Sequence, residues 1–350
     1  MSIFTGPEYD PKNMIFRRLG DSGLRVPIFS IGAWLTIGQT VQGDVVKDIL
    51  TTAFNAGINL IDTAEGYAQG QAEVEIGRVI KEVGWRRSDL IITTKIFFGV
   101  GRKGANDVGL SRKHIIEGLN ESLERLQLDY VDIVFAHRPD SSVPMHEVVR
   151  AFNFLINQGK AFYWATSEWS ARQIEEAFHV ADQYNLIPPI ADQCNYSALN
   201  RARFEVEYAP LYKKYNYGTT VFSALAGGVL SGKYNDGIPT GSRFDLHKDE
   251  FKDTVEKLGG PEGIANIEKV KKLTKIAEEL GCKVGHLALA WAVSNPNTST
   301  VILGASKPEH VTDNLKALEV LPKLTPEIHD RIKAILDNEP ASEKLWFGDR

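Results

Sequence analysis

Eight times along this 350-residue chain, a short apolar run is followed by an amphipathic stretch of helical period. The runs are Ile28–Gly32, Ile58–Asp62, Leu90–Lys95, Val131–Ala136, Phe162–Thr166, Ile190–Cys194, Thr219–Ser223 and Thr300–Leu303. Most are near-continuous rather than alternating, the pattern of parallel strands buried on both faces. This count predicts an α/β fold, a (β/α)8 TIM barrel, which accounts for 350 residues in one domain. A doubly wound sheet is the alternative.

The punctuation agrees. Asp44 is placed to cap a helix that carries Val46, Ile49, Leu50, Ala53 and Phe54 on one face and ends at Gly57. Ser111 is placed to cap the next strong one, with Ile115, Ile116, Leu119, Leu123 and Leu126 at helical spacing. Helices are also predicted over Met145–Asn157, Ala171–Tyr184, Phe204–Tyr215 and Pro308–Leu318. Ahead of the first run, FRRLGDSGLRV reads as a β-hairpin with an Asp-Ser-Gly turn, able to plug one end of a barrel. Residues 264–295 add two helices and Pro326–Leu336 one more. Ala224 to about Glu262 is a long connection without a clear element, usually functional or disordered in a compact domain. The expected organisation is a flexible lead over 1–13, the barrel over 14–340 and a tail over 341–350.

Composition removes several function classes. Apolar residues at 43% can bury a large core. A net charge of −5 leaves no positive excess to neutralise nucleic-acid phosphates. Cys194 and Cys282 build neither a disulfide framework nor a four-thiolate metal site, which fits a reducing cytosol. No apolar run reaches the ~20 residues of a membrane span, and the polar N-terminus is no signal peptide. A cytoplasmic protein without a metal is expected; no H-E-x-x-H pattern or close His/Cys/Asp cluster occurs.

Two glycine patterns imitate phosphate loops. Gly99-Val-Gly101-Arg-Lys-Gly104 spells G-x-G-x-x-G after a strand, yet the next helix starts only near Ser111, so it reads as a loop. Gly227 to Lys233 spells most of a P-loop, but Tyr234 stands where a magnesium-binding hydroxyl belongs. Such a backbone with a lysine can still cradle another phosphate.

The informative residues lie at successive strand ends. Asp62 closes the second run, Tyr67 follows five residues later, Lys95 closes the third, and His137 lies just past the fourth. Strand C-terminal ends of such a barrel converge on one mouth. Taken singly, Lys95 reads as a rim cation paired with Asp62, and Tyr67 as a loop aromatic. Together they suit proton transfer. A lysine ammonium lowers a phenol's pKa, and a carboxylate keeps the ammonium charged. His137 can hydrogen-bond the same carbonyl oxygen. A reduced nicotinamide fits as the hydride source.

At these residues the chain resembles the aldo-keto reductases, and within them the β subunits of voltage-gated potassium channels. The matching segments include GINLIDTAEGYAQGQAEVEIG, GLSRKHIIEGLNESLERLQLDYVDIVFAHRPD, NLIPPIADQCNYS and VILGAS, in order along nearly the whole barrel. The resemblance implies NADPH bound without a Rossmann domain and a catalytic tetrad of Asp62, Tyr67, Lys95 and His137. It implies that Ser167 and Gln193 hold the nicotinamide carboxamide and that Trp34 lines the site. Phe222, Ser223, Leu225, Gly227 and Lys233 fall on the loop over the pyrophosphate, and Arg243 on the same strap. Gly304, Ser306, Lys307, His310, Asp313 and Asn314 fall on the segment for the adenosine 2′-phosphate, Ser306 placed as a helix cap and Lys307 adding a cation.

The departures favour chemistry. The animal channel subunits carry Asn where His137 stands, Arg where Glu168 stands, and Trp-Ser-Pro where Phe222-Ser223-Ala224 stands. The long N-terminal extension that blocks channel pores in some of them is not expected here. The expected function is reduction of an aldehyde or ketone, with Tyr67 as proton donor. The alternatives are a channel-associated β subunit that senses redox state through bound NADPH, and a noncatalytic scaffold. By analogy with the channel relatives, a homotetramer and an ion channel's cytoplasmic domain are the candidate assemblies. Tyr67→Phe is expected to lower turnover by about 10²–10⁴-fold while NADPH affinity is unchanged. Steady-state NADPH oxidation beside cofactor titration checks this, and near-normal turnover removes Tyr67 as the donor.

Overall fold

A computed structural model describes residues 6–341. The apolar runs become strands because they are buried along their length: all six residues of Val131–Ala136 are buried, as are all six of Ile91–Ile96. In chain order the strands are β1 (Phe16–Arg18), β2 (Arg25–Pro27), β3 (Phe29–Gly32), β4 (Leu60–Asp62), β5 (Ile91–Ile96), β6 (Val131–Ala136), β7 (Ala161–Ser167), β8 (Ala191–Asn195), β9 (Gly218–Phe222) and β10 (Thr300–Gly304). Strands β3 to β10 form a closed barrel in sequence order, β10 returning beside β3. Pairing is parallel, with Leu60 against Ile91, Lys95 against Phe135 and Ser167 against Gln193. The chain is thus a (β/α)8 barrel.

β1 and β2 form the antiparallel hairpin expected ahead of the barrel. Its Leu19 and Val26 are fully buried in a cluster with Leu60, Ile91, Ile133, Phe135, Ala165 and Ala191, strand residues of the barrel interior. In the lead, Tyr9 meets Phe54 edge-on and donates a hydrogen bond to the carbonyl of Gly57. Residues 1–5 of the lead and 342–350 of the tail lie outside the described residues.

The helices are α1 (Asp44–Asn55), α2 (Gln71–Val83), α3 (Arg112–Leu126), α4 (Met145–Asn157), α5 (Ala171–Gln183), α6 (Ala209–Tyr215), α7 (Arg243–Leu246), α8 (Lys252–Gly259), α9 (Pro261–Glu279), α10 (Val284–Ser294), α11 (Pro308–Leu315), α12 (Ala317–Val320) and α13 (Pro326–Leu336). Ser111 caps α3, accepting from the His114 amide. Asp44 does not cap α1. It is the first helical residue, and the cap position belongs to Gly43, whose φ of 63° a side chain rarely adopts. The Gly43 amide is met by the Glu75 carboxylate instead. The helix predicted over Phe204–Tyr215 is two elements, a π-helical turn at Arg203–Glu207 and then α6. Pro308–Leu318 likewise divides into α11 and α12. The connection after Ala224 holds a 3-10 turn at Ala226–Ser231, then α7 and α8.

The described chain divides into two compact units. The first runs to Cys194 and takes in Pro210–Thr220 and Ser299–Asp313. The second holds Asn195–Ala209, Val221–Thr298 and the chain from Asn314. Within the second, Arg201 and Glu205 form a two-pronged ion pair, and Tyr196 donates to Glu205 while stacking on Phe204. The π-helical turn therefore carries a carboxylate that three neighbouring donors use.

Within the first unit, α2 approaches α3 at Gly77. A Cβ there would lie 2.3 Å from the Leu126 carbonyl oxygen, which is backbone and cannot step aside. Gly77→Ala is expected to destabilise the protein by about 1–3 kcal/mol, the usual cost of overpacking. The shift of the urea midpoint checks it. An unchanged midpoint would mean that the two helices separate freely.

Candidate active site

The first unit's catalytic candidates are assembled by adjacent strands. Asp62 is the last residue of β4, Lys95 the penultimate residue of β5, and His137 the first residue beyond β6. Lys95 is fully buried and Asp62 nearly so. The Lys95 ammonium donates to Asp62 Oδ2 at 2.6 Å and to the Thr63 carbonyl at 2.7 Å. Asp62 Oδ1 accepts from Thr93 Oγ1 at 2.7 Å and from Gln193 Nε2 at 3.0 Å. A buried carboxylate with three donors is satisfied.

Tyr67 starts the turn after β4 and lies beside both other groups. Its ring centroid is 4.7 Å from the Lys95 ammonium and 5.7 Å from the His137 ring centroid, nearly edge-on at 76°. Burial pushes the Tyr67 phenol up, the Lys95 charge pulls it down, and burial prevails. The sequence leads one to expect a lowered phenol. The Lys95 effect has that sign, but desolvation exceeds it. Burial also opposes the Lys95 ammonium and is the largest single effect, yet Asp62 and Tyr67 together outweigh it and hold the lysine above its ordinary value. Burial and the charges of Lys95 and Arg138 hold His137 well below the ordinary 6.5, so the imidazole is neutral at pH 7. His137 Nδ1 is buried with no hydrogen-bond partner among the described residues.

Ser167 and Gln193 join this cluster. Arg138 Nη1 donates to the His137 carbonyl and to Ser167 Oγ at 3.2 Å, and Ser167 Oγ donates to the Gln193 carbonyl at 3.0 Å. Trp34 follows β3 and is 41% exposed. Gly304, Ser306, Lys307, His310 and Asp313 form the β10–α11 segment, where the Ser306 amide and hydroxyl both face His310 Nδ1. The sequence reading missed Phe98. It is half exposed beside the site, with its ring centroid 4.9 Å from that of His137 at 82°. Its position three residues past Lys95 was the available signal.

The remaining candidates belong to the second unit: Phe222, Ser223, Leu225, Gly227, Lys233, Arg243 and Asn314. Ser223 holds a φ of 57°, and Gly227 and Gly228 hold 68° and 106°. A Cβ at Gly228 would lie 2.6 Å from Lys233 Cε, so the lysine folds back over glycine backbone. Burial and the Arg243 charge hold Lys233 below its ordinary value. Arg243 is itself lowered by burial. Two partly desolvated cations beside open glycine backbone have the chemistry of a phosphate cradle. Among the described residues no cluster of three His, Cys, Asp or Glu side chains is placed to hold a metal ion, and no helix is long and apolar enough to cross a membrane.

Residues 29–337 match the model of the Aldo/keto reductase family. The chain belongs to the aldo/keto reductase family. It is also 54% identical over 333 residues to a Schizosaccharomyces pombe protein named "Putative voltage-gated potassium channel subunit beta", a match covering 95% of this chain and 96% of that one.

The neutral, desolvated His137 of this aldo/keto reductase has a consequence for stability. The unfolded chain protonates His137 near 6.5, while the folded chain does not until far lower. Below pH 6.5 the unfolded state therefore binds the extra proton, and stability falls with pH by up to about 1.4 kcal/mol per unit. His137→Gln is expected to lose that component, so the stability gap between the two proteins narrows from pH 7.5 to pH 5. Urea unfolding at both pH values checks this. A constant gap would mean that His137 titrates alike in both states.

Proposed function

We propose that this aldo/keto reductase is an NADPH-dependent carbonyl reductase acting on an aldehyde or ketone. One observation carries the reading: the buried Asp62–Lys95 ion pair beside Tyr67. Such a pair does little for stability, and a charge of this sign favours a phenol giving up its proton. NADPH, when bound, supplies a hydride to the carbonyl carbon. Tyr67 holds the proton that neutralises the oxygen, and Lys95 stabilises the phenolate left behind. Neutral His137 donates a hydrogen bond to that oxygen as negative charge builds there.

The same reading gives the other candidates their roles. Gln193 spends its NH2 on Asp62 and offers Oε1 to the nicotinamide carboxamide, with Ser167 beside it. Trp34 lines the substrate side. Phe222, Ser223, Leu225, Gly227, Lys233 and Arg243 hold the pyrophosphate; the phosphate would relieve the repulsion between the two cations. Gly304, Ser306, Lys307, His310, Asp313 and Asn314 hold the adenosine 2′-phosphate. The test is steady-state NADPH oxidation with a panel of aromatic and aliphatic aldehydes. Aldehyde-dependent turnover supports the reading, and cofactor binding without turnover on any carbonyl leaves a scaffold.

A second reading is favoured by the 54% identity to the yeast protein. It is a channel-associated β subunit whose bound NADPH reports redox state. Pull-down with a channel's cytoplasmic domain tests it, and no capture removes it.

Cofactor choice gives a sharper test. NADPH and NADH differ by the 2′-phosphate, a near-dianion that an exposed lysine before a helix start attracts. Lys307→Glu is expected to weaken NADPH by roughly 1–3 kcal/mol, less at high salt, and to leave NADH nearly unchanged. Titration of both cofactors by tryptophan fluorescence decides. Equal losses would mean that Lys307 supports the fold and does not read the phosphate.

A further inference from the structure

Glu65 lies between Asp62 and Tyr67 in the chain, is 2% exposed, and takes no part in the chemistry above. Its Oε1 accepts from the Phe97 amide at 2.7 Å and from the Gly99 amide at 2.8 Å. His114 Nε2, from α3, is 3.1 Å from the same oxygen. One carboxylate oxygen therefore ties both sides of Phe98 to the segment that carries Tyr67. Gly66 brings the same two segments into contact: a Cβ there would lie 3.1 Å from the Gly99 oxygen and 3.3 Å from Phe98 Cβ.

Phe98 is half exposed, so solvent does not hold its ring in place. The ring nevertheless stands edge-on to His137 at 4.9 Å. His137 Nδ1 has no hydrogen-bond partner among the described residues, so no bond at that atom orients the imidazole. Its orientation rests on packing, with Tyr67 and Phe98 as two of its walls. The Phe98 wall is only as firm as the backbone on either side of it; Glu65 holds the amide on each side, and the Gly109 amide holds the Phe97 carbonyl.

We propose that Glu65 is a positioning residue that fixes the His137 imidazole through Phe98. The simpler alternative is that Glu65 only satisfies buried amides. A double-mutant cycle separates the two. Glu65→Ala is expected to lower kcat/KM by about 10-fold, within the range that small misplacements of a reacting group produce. Glu65→Gln keeps an acceptor oxygen and is expected to stay within about 3-fold. In a Phe98→Ala background, Glu65→Ala is expected to cost no more than about 2-fold, because the wall it supports is gone. An equal loss in both backgrounds overturns the proposal.

The kinetic arm rests on the carbonyl-reductase reading, and a second readout does not. The His137 ring resonance, assigned by its loss in His137→Gln, is expected to move in Phe98→Ala and in Glu65→Ala. A resonance left in place by Glu65→Ala overturns the proposal. If the protein reduces no carbonyl but the resonance moves, the reductase reading fails and the positioning role stands. Should Glu65→Ala fail to fold, Glu65→Gln decides by two readouts together, amide hydrogen exchange and the His137 ring resonance: the resonance is expected to move as the amides loosen, and a resonance left in place while they loosen overturns the proposal. A neutral acceptor holds the Phe97 and Gly99 amides less firmly than a carboxylate does, so they are expected to exchange about 10-fold faster. Unchanged exchange at both amides overturns the proposal.

Discussion

The 2.6 Å contact between the Lys95 ammonium and the Asp62 carboxylate, both out of water, is the constraint around which the strand ends are arranged. Taking two charges out of water costs more than their attraction returns unless the remaining donors and acceptors are also matched. Here they are matched by residues of two strands and by the residue just beyond β4. Thr93 comes from β5 beside Lys95, and Gln193 from β8 reaches Asp62 Oδ1. The Thr63 carbonyl takes a second proton of Lys95. Replacing a buried ion pair by apolar residues of similar volume is often neutral or stabilising, so the reading proposed above explains the charges by what they do to their neighbour Tyr67.

The loops that follow the strands carry the accompanying strain. Leu35, Ala68, Gln69, Glu168, Ser223 and Ala226 all hold positive φ without being glycine, and all lie in connections after barrel strands. Conformations of this kind cost about 1–3 kcal/mol each and persist only where neighbours enforce them. The Glu168 turn shows how. Buried Asp192 accepts from the amides of Glu168 and Trp169 and from Thr166 Oγ1, so one carboxylate holds the turn beyond β7. Glu65 does the same for the turn beyond β5. Buried acids that bind backbone amides thus brace loops next to the acids and bases proposed for chemistry.

The barrel was legible because burial on both faces writes itself as continuous apolar runs: Val131–Ala136 is a strand to the residue, and the other runs fall within two residues at either end. Helices were legible where an N-cap side chain precedes an amphipathic face, as at Ser111 and α3. They were less so where long-range contacts decide. The Gly43 turn depends on Glu75, thirty-two residues away, so Asp44 looked like the cap. The π-helical turn at Arg203–Glu207 has no signature in apolar spacing, which reads Phe204–Tyr215 as one helix. Asp62, Lys95, Tyr67 and His137 were found by their places at strand ends, and the structure brings them into contact. Glu65 was passed over beside them because a buried acid and a surface acid look alike in sequence. The direction of the Tyr67 shift escaped for a related reason. Spacing reveals a neighbouring charge but not how much water is excluded.

That opposition at Tyr67 is what a proton donor requires. A phenol whose pKa fell to neutrality would spend part of its time as phenolate, with no proton to give. Burial keeps the proton on Tyr67 in the resting protein, and the Lys95 charge works in the other direction. Both effects act on the charge that appears as the proton leaves: desolvation penalises the phenolate, and the ammonium favours it. Asp62 helps to hold Lys95 charged against its own burial. In the proposed reaction, neutral His137 adds a donor without adding a second positive charge beside Lys95. Burial thus keeps the proton on Tyr67 and keeps His137 neutral, while Asp62 and Tyr67 together keep Lys95 charged against its burial.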